Sequence, residues 1–219
     1  MSTDNEQVIL RREKLLALQA AGQDPFGVHR YERSHCAASV VAEVERVEAA
    51  AGEEPVHWEQ AEFPVQIAGR LMAIRRQGKS IWADLHDLSG KIQLWAKPDV
   101  LADFEQFGDL DLGDIIGLTG KAFRTRRGEP TVRIEGWTLL SKALRPLPDK
   151  WHGLQDIETR YRQRYLDLMV NTEARDLFVK RSRAISALRQ HLDGQGFLEV
   201  ETPVMQPIYG GAAAKPFVT

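Results

Sequence analysis

Two basic clusters flank a pair of tryptophans in the middle of this sequence. The clusters are Arg75-Arg76-Gln77-Gly78-Lys79 and Arg124-Thr125-Arg126-Arg127-Gly128-Glu129-Pro130, and Trp82, Gln93 and Trp95 lie between them. Guanidinium and ammonium groups attract phosphate oxygens, and indole rings stack on nucleobases. A carboxamide both donates to and accepts from a base edge. Together these residues suit the binding of a single-stranded nucleic acid. Each alone has a plainer reading. A loop with three arginines is ordinarily just solvated, and a strand tryptophan is more often packed under a neighbouring helix than left open to a base.

The functional reading needs a scaffold that brings both clusters and the tryptophans to one surface. From Pro64 the apolar period is two. Val65, Ile67, Gly69, Leu71 and Ala73, then Ile81, Ala83 and Leu85, then Ile92, Leu94 and Ala96 alternate with other residues, which predicts three half-buried strands. The first basic cluster joins strands one and two, and Ser89-Gly90 turns the second into the third. Pro98 is expected to open a short helix with Val100, Leu101, Phe104 and Phe107 apolar. A fourth strand is expected at about 114–123 and a fifth at about 131–140, with the second basic cluster between them. Three strands, a helix and two strands is the order of the OB-fold, a five-stranded barrel. It binds oligonucleotides on the face of strands 2 and 3, between the loops joining strands 1–2 and 4–5. Those are the two loops with clustered Arg and Lys here, and Trp82, Gln93 and Trp95 take outward positions between them. Their coincidence favours oligonucleotide binding, with Arg124, Arg126 and Arg127 supplying charge.

Around the barrel at 61–142, the sequence divides into a helical extension at 1–60, a Pro-rich linker at 143–155 and a further unit at 156–219. Val8, Ile9, Leu15, Leu16 and Leu18 give the first helix a rough apolar stripe, ended by Gly22 and Pro25. A second helix is expected at about 37–51, with Val40, Val41, Val44 and Val47 apolar. Beyond the linker, Ile157, Tyr161, Tyr165, Leu168 and Met169 line one helical face. A longer helix comes next, capped by Asn171 or Thr172, with Ala174, Leu177, Phe178, Ile185, Leu188 and Leu192 as its stripe. Gly194 and Gly196 end it, and a short strand leads to Pro203. Thr219 then falls inside what reads as an unfinished α+β unit, because a helix and one strand cannot bury the apolar surface they offer.

Composition excludes several classes. The chain has 219 residues, 43% hydrophobic and 27% charged, which is an ordinary globular balance. No apolar run reaches the roughly 18 residues of a membrane span, so no membrane partner is expected. The polar N-terminus lacks a signal-peptide core. The single cysteine, Cys36, permits no internal disulfide and agrees with a reducing cytoplasm. The net charge of −2 hides an asymmetry: −5 over residues 1–60, +2 over 61–150 and +1 over 151–219. The six histidines are scattered without metal-ligand spacing, no Gly-rich phosphate loop occurs, and Glu199 and Glu201 read as a solvated strand edge. The residues by themselves therefore indicate no catalytic set and no metal site.

Longer stretches carry a resemblance. Residues 143–156, Ala-Leu-Arg-Pro-Leu-Pro-Asp-Lys-Trp-His-Gly-Leu-Gln-Asp, and residues 160–168, Arg-Tyr-Arg-Gln-Arg-Tyr-Leu-Asp-Leu, closely resemble the lysyl-tRNA synthetases. Gly196-Phe197-Leu198-Glu199-Val200-Glu201-Thr202-Pro203 resembles motif 1 of the class II synthetases. Gly210-Gly211-Ala212-Ala213-Ala214-Lys215-Pro216-Phe217 is similar to the segment after motif 1 in the lysine enzymes. Arg11-Arg12-Glu13-Lys14-Leu15 and Asp24-Pro25-Phe26 fit the family's N-terminal helix. The likeness covers nearly the whole chain and is thinnest at residues 30–60. The Arg-Tyr-Leu-Asp-Leu element is shared with the aspartyl and asparaginyl enzymes. The Arg-Pro-Leu-Pro-Asp-Lys and His-Gly-Leu-Gln-Asp elements favour lysine.

The resemblance implies an OB-fold that holds the tRNA anticodon, followed by the start of a class II antiparallel-sheet catalytic domain. It implies Arg75, Trp82 and Gln93 as anticodon readers, although the family usually has Phe at the Trp82 position. Arg70, Lys79 and Lys91 match backbone contacts. Motif 1 implies a homodimer with Phe197 and Pro203 near its interface, and Gly210 and Gly211 match backbone bordering the lysine pocket. The intact enzyme would use ATP and Mg²⁺ to join lysine to tRNA. The arginines and carboxylates of motifs 2 and 3 lie past Thr219, so residues 1–219 are expected to bind tRNA without catalysing adenylate formation. Two alternatives remain open: a truncated or paralogous tRNA-binding module without ligase activity, and the synthetase-like part of a lipid-lysylating membrane protein.

Overall fold

A computed structural model describes residues 3–52, 54–148 and 154–203. The chain divides into two compact units, Met1–Leu147 and Pro148–Thr219, with the division inside the Pro-rich stretch.

Period-two alternation produces five strands in the first unit: β1 (Phe63–Gln77), β2 (Ser80–His86), β3 (Lys91–Ala96), β4 (Ile115–Arg124) and β5 (Pro130–Ser141). They close into a barrel in the order β1-β2-β3-β5-β4, sealed by the antiparallel pairing of β4 with β1. Closure removes the free edges that an open sheet would present. β1 serves two partners because it bends. Its first half pairs with β4 and its second half with β2, and the ladder shifts register between Leu71 and Ala73. One pairing is parallel, between Gln93–Trp95 of β3 and Thr131–Arg133 of β5. The inward residues, among them Leu71, Ile81, Leu94, Ile116, Leu118 and Ile134, form the core.

The expected helix after Pro98 begins later. Pro98 opens a turn in which the Lys97 carbonyl accepts from the Val100 and Leu101 amides. The helix itself is α4 (Phe104–Gly108), with Phe104 and Phe107 buried and Val100 exposed. The first basic cluster is also shorter as a loop than expected. Arg75 and Arg76 are strand residues, and the turn is Gly78-Lys79, with Gly78 in the left-handed region at φ 57°.

The extension packs on the barrel in three ways. From α2 (Ala37–Ala51), Ala37, Val40 and Val44 enter the barrel's core. The helix start is capped from the β2–β3 turn: Ala37 N–H donates to the Asp87 carboxylate at 2.8 Å and Ala38 N–H to Ser89 Oγ at 3.0 Å. Before α2, the Tyr31 ring lies against Gly117 of β4 so closely that any side chain there would collide with it. The helix α1 (Thr3–Ala20) turns Val8, Leu15 and Leu18 of its expected stripe to the half-buried side, where Arg11 is buried with them, and leaves Ile9 and Leu16 exposed. The Arg11 guanidinium donates to the carbonyls of Leu112, Ala143 and Arg145 at 3.2, 3.0 and 2.9 Å. The three loop carbonyls converge on Nη1 of this one side chain, a site that a guanidinium satisfies and an apolar residue would not. Beside it, Lys142 is buried against Asp114 at 2.8 Å and Asp111 at 2.5 Å, and Lys14 reaches Asp111 at 3.1 Å.

The described part of the second unit is helical: α5 (Ile157–Arg162), α6 (Arg164–Val170) and α7 (Thr172–Gly194). A break at Gln163 replaces the single expected helical face, leaving Ile157, Tyr161 and Tyr165 exposed. The unit is organised by the buried Asp167 carboxylate, which accepts from Arg160 at 2.8 Å, Asn171 at 2.7 Å and Arg164. Asn171 therefore stands at the N-cap position of α7 without capping it, since its amide serves Asp167 and the Leu154 carbonyl. Residues 197–203 form no strand, and Gly210 and Gly211, the glycines expected at a lysine pocket, lie outside the described residues.

Candidate nucleic-acid interface

Strand pairing builds the outer face of β2 and β3 in rows. Arg75, Trp82, Trp95 and Arg133 are in register across β1, β2, β3 and β5, and Ala73, Asp84, Gln93 and Thr131 form the next row. The alternating residues Ile81, Ala83, Leu85, Ile92 and Leu94 are buried, so both rows point away from the core.

The expected readers come together here. Trp82 stacks on Trp95 with ring centroids 5.5 Å apart and planes 15° apart. Arg75 reaches back to Asp84 at 3.2 Å, which holds the guanidinium beside Trp82. Gln93 Oε1 lies 3.0 Å from the Thr131 hydroxyl, whose one proton it shares with the Glu129 carbonyl at 3.0 Å, and its carboxamide N–H₂ is left as a donor. A ring, a forked cation and an oriented carboxamide thus share one surface, each already steadied by a protein partner.

The expected charge suppliers separate into two groups. Lys79, Lys91, Arg126 and Arg127 are exposed at turns and strand ends, Lys91 at the far end of the β2–β3 hairpin from Lys79. Arg70 and Arg124 are committed within the fold. The Arg70 guanidinium donates to the Gly113 carbonyl at 2.7 Å, and burial lowers its pKa while the Asp114 charge works against that. Arg124 lies 2.5 Å from Glu48 of α2 and donates to the Gly128 carbonyl at 2.7 Å. Arg76 turns from the face to meet Glu105 at 2.6 Å and the Phe104 ring.

Three neighbours that were not singled out in the sequence join the expected Trp95 on the face. Asp84, Trp95, Lys97 and Phe123 complete it, with Lys97 4.4 Å over the Trp95 ring and Phe123 tilted against it at 5.7 Å. Period-two alternation marks Asp84 and Trp95 as outward. Nothing local marks Phe123, which arrives through the β4–β5 ladder, where it is opposite Thr131. Among the described residues no group of His, Cys, Asp and Glu is gathered as for a metal ion, and no helix is long and apolar enough to cross a membrane.

Comparisons with known proteins agree with this geometry. Residues 65–140 match the OB-fold nucleic acid binding domain, and residues 156–219 match the class II tRNA synthetases for D, K and N. The chain is 48% identical over 217 residues to a lysine–tRNA ligase of Clostridium perfringens, covering 98% of this chain and 41% of that protein. It is 49% identical over 221 residues to one of Moorella thermoacetica, covering all of this chain and 42% of the relative. For the enzyme of Oceanobacillus iheyensis the identity is 49% over 217 residues and 43% of the relative is covered. The chain thus spans about two fifths of the length of the curated relatives it matches. It is homologous to lysine–tRNA ligases along nearly its whole length, with an OB-fold followed by the start of a class II synthetase domain.

Proposed function

We propose that this homologue of the lysine–tRNA ligases supplies the anticodon-binding barrel and motif 1 segment of an enzyme that attaches lysine to its tRNA in an ATP-dependent reaction. The observation that carries this reading is the row of Arg75, Trp82 and Trp95 beside Gln93, on the face this barrel uses for oligonucleotides. A splayed anticodon base stacks on the face of Trp82 that Trp95 leaves open. Arg75 and Gln93 donate to its edge, one steadied by Asp84 and the other by Thr131. Lys79, Lys91, Arg126 and Arg127 meet the flanking phosphates. Arg70 and Arg124 support the loops that present them.

The rest of the enzyme's chemistry is part of the same proposal. Phe197 and Pro203 are exposed and available to a second subunit, in keeping with a homodimer. Gly210 and Gly211 border the lysine pocket, and the enzyme works in the cytoplasm. ATP and Mg²⁺ supply the activation of the lysine carboxylate. Among the described residues no group of His, Cys, Asp and Glu is gathered to hold Mg²⁺, and no residue of this chain is given a part in that step.

Binding of the full chain to an anticodon stem-loop of lysine tRNA tests the reading. Stacking is worth roughly 1–3 kcal/mol per base, so Trp82→Ala is expected to weaken binding about 5- to 150-fold at fixed salt. Neutralising Arg126 and Arg127 should flatten the salt dependence by about 0.7 in log–log slope for each phosphate left without its cation, with anticodon discrimination intact. Lysine-dependent exchange of pyrophosphate into ATP is expected to be absent from these 219 residues alone. Equal affinity of Trp82→Ala and parent would overturn the placement of the anticodon.

A further inference from the structure

Trp82 does not stand alone on its sheet. Trp95 is its direct cross-strand partner, and the two indoles lie nearly parallel at 5.5 Å. Trp95 is held in turn from two more sides, by the Lys97 ammonium 4.4 Å over its ring and by Phe123 at 5.7 Å. Its indole N–H is buried without a hydrogen-bond partner among the described residues. A buried indole normally finds such a partner, so ring contacts rather than hydrogen bonding set where Trp95 sits. The stack also covers one face of Trp82 and leaves a single face for a base.

From this stack we infer that Trp95 is a positioning residue for nucleobase stacking, holding the Trp82 ring in its base-accepting orientation. The inference depends on the anticodon-binding reading of this face. A half-exposed indole on a sheet has several rotamers, and a base that stacks on it must select one. Ordering one such side chain on binding costs about 0.5–1.5 kcal/mol, or roughly 2- to 12-fold in affinity. Trp95 removes that cost in advance, and Lys97 and Phe123 keep Trp95 itself from turning. Trp95 acts through Trp82 without contacting the RNA.

The test is a double-mutant cycle on the full chain, with an anticodon stem-loop at constant salt as the probe. Trp95→Leu keeps apolar bulk but has no π face, and it replaces Trp95→Ala should the smaller residue unfold the barrel. Trp95→Leu is expected to weaken binding about 2- to 12-fold when Trp82 is present and less than about 2-fold when it is Ala. Trp95→Phe, which keeps an aromatic face, should restore most of the affinity. A 2-aminopurine placed in the anticodon adds a readout that a purely structural role would not move. Its stacking quench at saturating protein should be shallower with Trp95→Leu than with the parent. Losses that add across the cycle would mean that Trp95 meets the RNA itself and would overturn the inference. So would an unaltered affinity in Trp95→Leu alongside a weakened Trp82→Ala, which leaves the anticodon reading standing. No effect of Trp82→Ala would remove both.

Discussion

The two units treat their apolar side chains in opposite ways. In the first, every inward strand position meets another across a closed barrel, and Leu71, Leu94 and Leu118 are fully buried. In the second, α7 carries an equally apolar stripe, yet Leu177, Leu188 and Leu192 are exposed and only Ala174 is buried. Their polar groups differ as well. The barrel's ionic cluster at Asp111, Asp114 and Lys142 ties the segment before β4 to the end of β5, across long sequence separations. The cluster around Asp167 joins residues only a few positions apart, from Arg160 to Asn171. A chain that closes on itself satisfies its core with its own strands. The described contacts of α7 are mainly with α6, its neighbour in the chain, so it has chiefly local contacts to draw on.

The sharpest way to break this contrast is to remove the amine at the barrel's ionic cluster. Lys142→Ala takes from the buried Asp114 its hydrogen-bonded ammonium and leaves only the more distant charge of Arg70, which should cost about 3–5 kcal/mol. Urea unfolding followed by tryptophan fluorescence measures it, because four of the five tryptophans, Trp58, Trp82, Trp95 and Trp137, belong to the first unit. A cost of less than about 1 kcal/mol, the range of exposed ion pairs, would mean the cluster is solvated. Core truncation comes next. Leu118→Ala should cost about 2–5 kcal/mol, whereas Leu188→Ala in α7 should fall within about 0.5 kcal/mol. Equal costs would erase the distinction between the units. Gly117→Ala in β4 should cost about 1–3 kcal/mol through its collision with Tyr31. Pairing it with Tyr31→Ala should recover part of that loss.

Acid sharpens the comparison further. Burial favours the neutral form of both Asp111 and Asp167. Hydrogen bonds and charges outweigh it, from Lys142 and Lys14 at the first and from Asn171, Arg160 and Arg164 at the second, so both carboxyls lie below their ordinary value. Groups depressed in this way contribute stability that is present above the unfolded-state pKa of about 3.9 and is lost as pH falls through the lower folded value. Stability from these two groups should therefore be flat from about pH 7 to 5 and fall below about pH 4. Asp111→Asn should soften the fluorescence transition, which four first-unit tryptophans dominate, and Asp167→Asn should lower the helicity of α5–α7 with little change in that transition. The smallest effect is expected at Arg162→Ala, which removes an exposed pair with Glu158 one helical turn away, worth about 0.3–0.5 kcal/mol.

Much of the barrel was readable from the residues alone, because a half-buried strand writes its orientation into a two-residue period. Alternation at Ile81–Leu85 and Ile92–Ala96 is enough to turn Trp82, Gln93 and Trp95 outward. Flanking basic residues then suggest a ligand. Where the partner is remote the signal vanishes. Arg11 is a buried charge of α1 although its neighbours look like the apolar face, and Asp87 caps a helix that begins fifty residues earlier in the chain. Arg124 looks like a free loop charge and is held by Glu48 of another element.

Local periodicity and side-chain chemistry thus determined the strands, their outward faces and the class of ligand those faces suit, because each depends on neighbours two or four residues away. Tertiary structure alone decided which cations remain available to a ligand and which are held within the fold. It also decided that Trp82 would rest against Trp95, and that β3 would run parallel to β5 so that Arg133 and Phe123 border the same surface. Those outcomes follow from barrel closure, which brings together side chains whose separation along the chain carries no local signal.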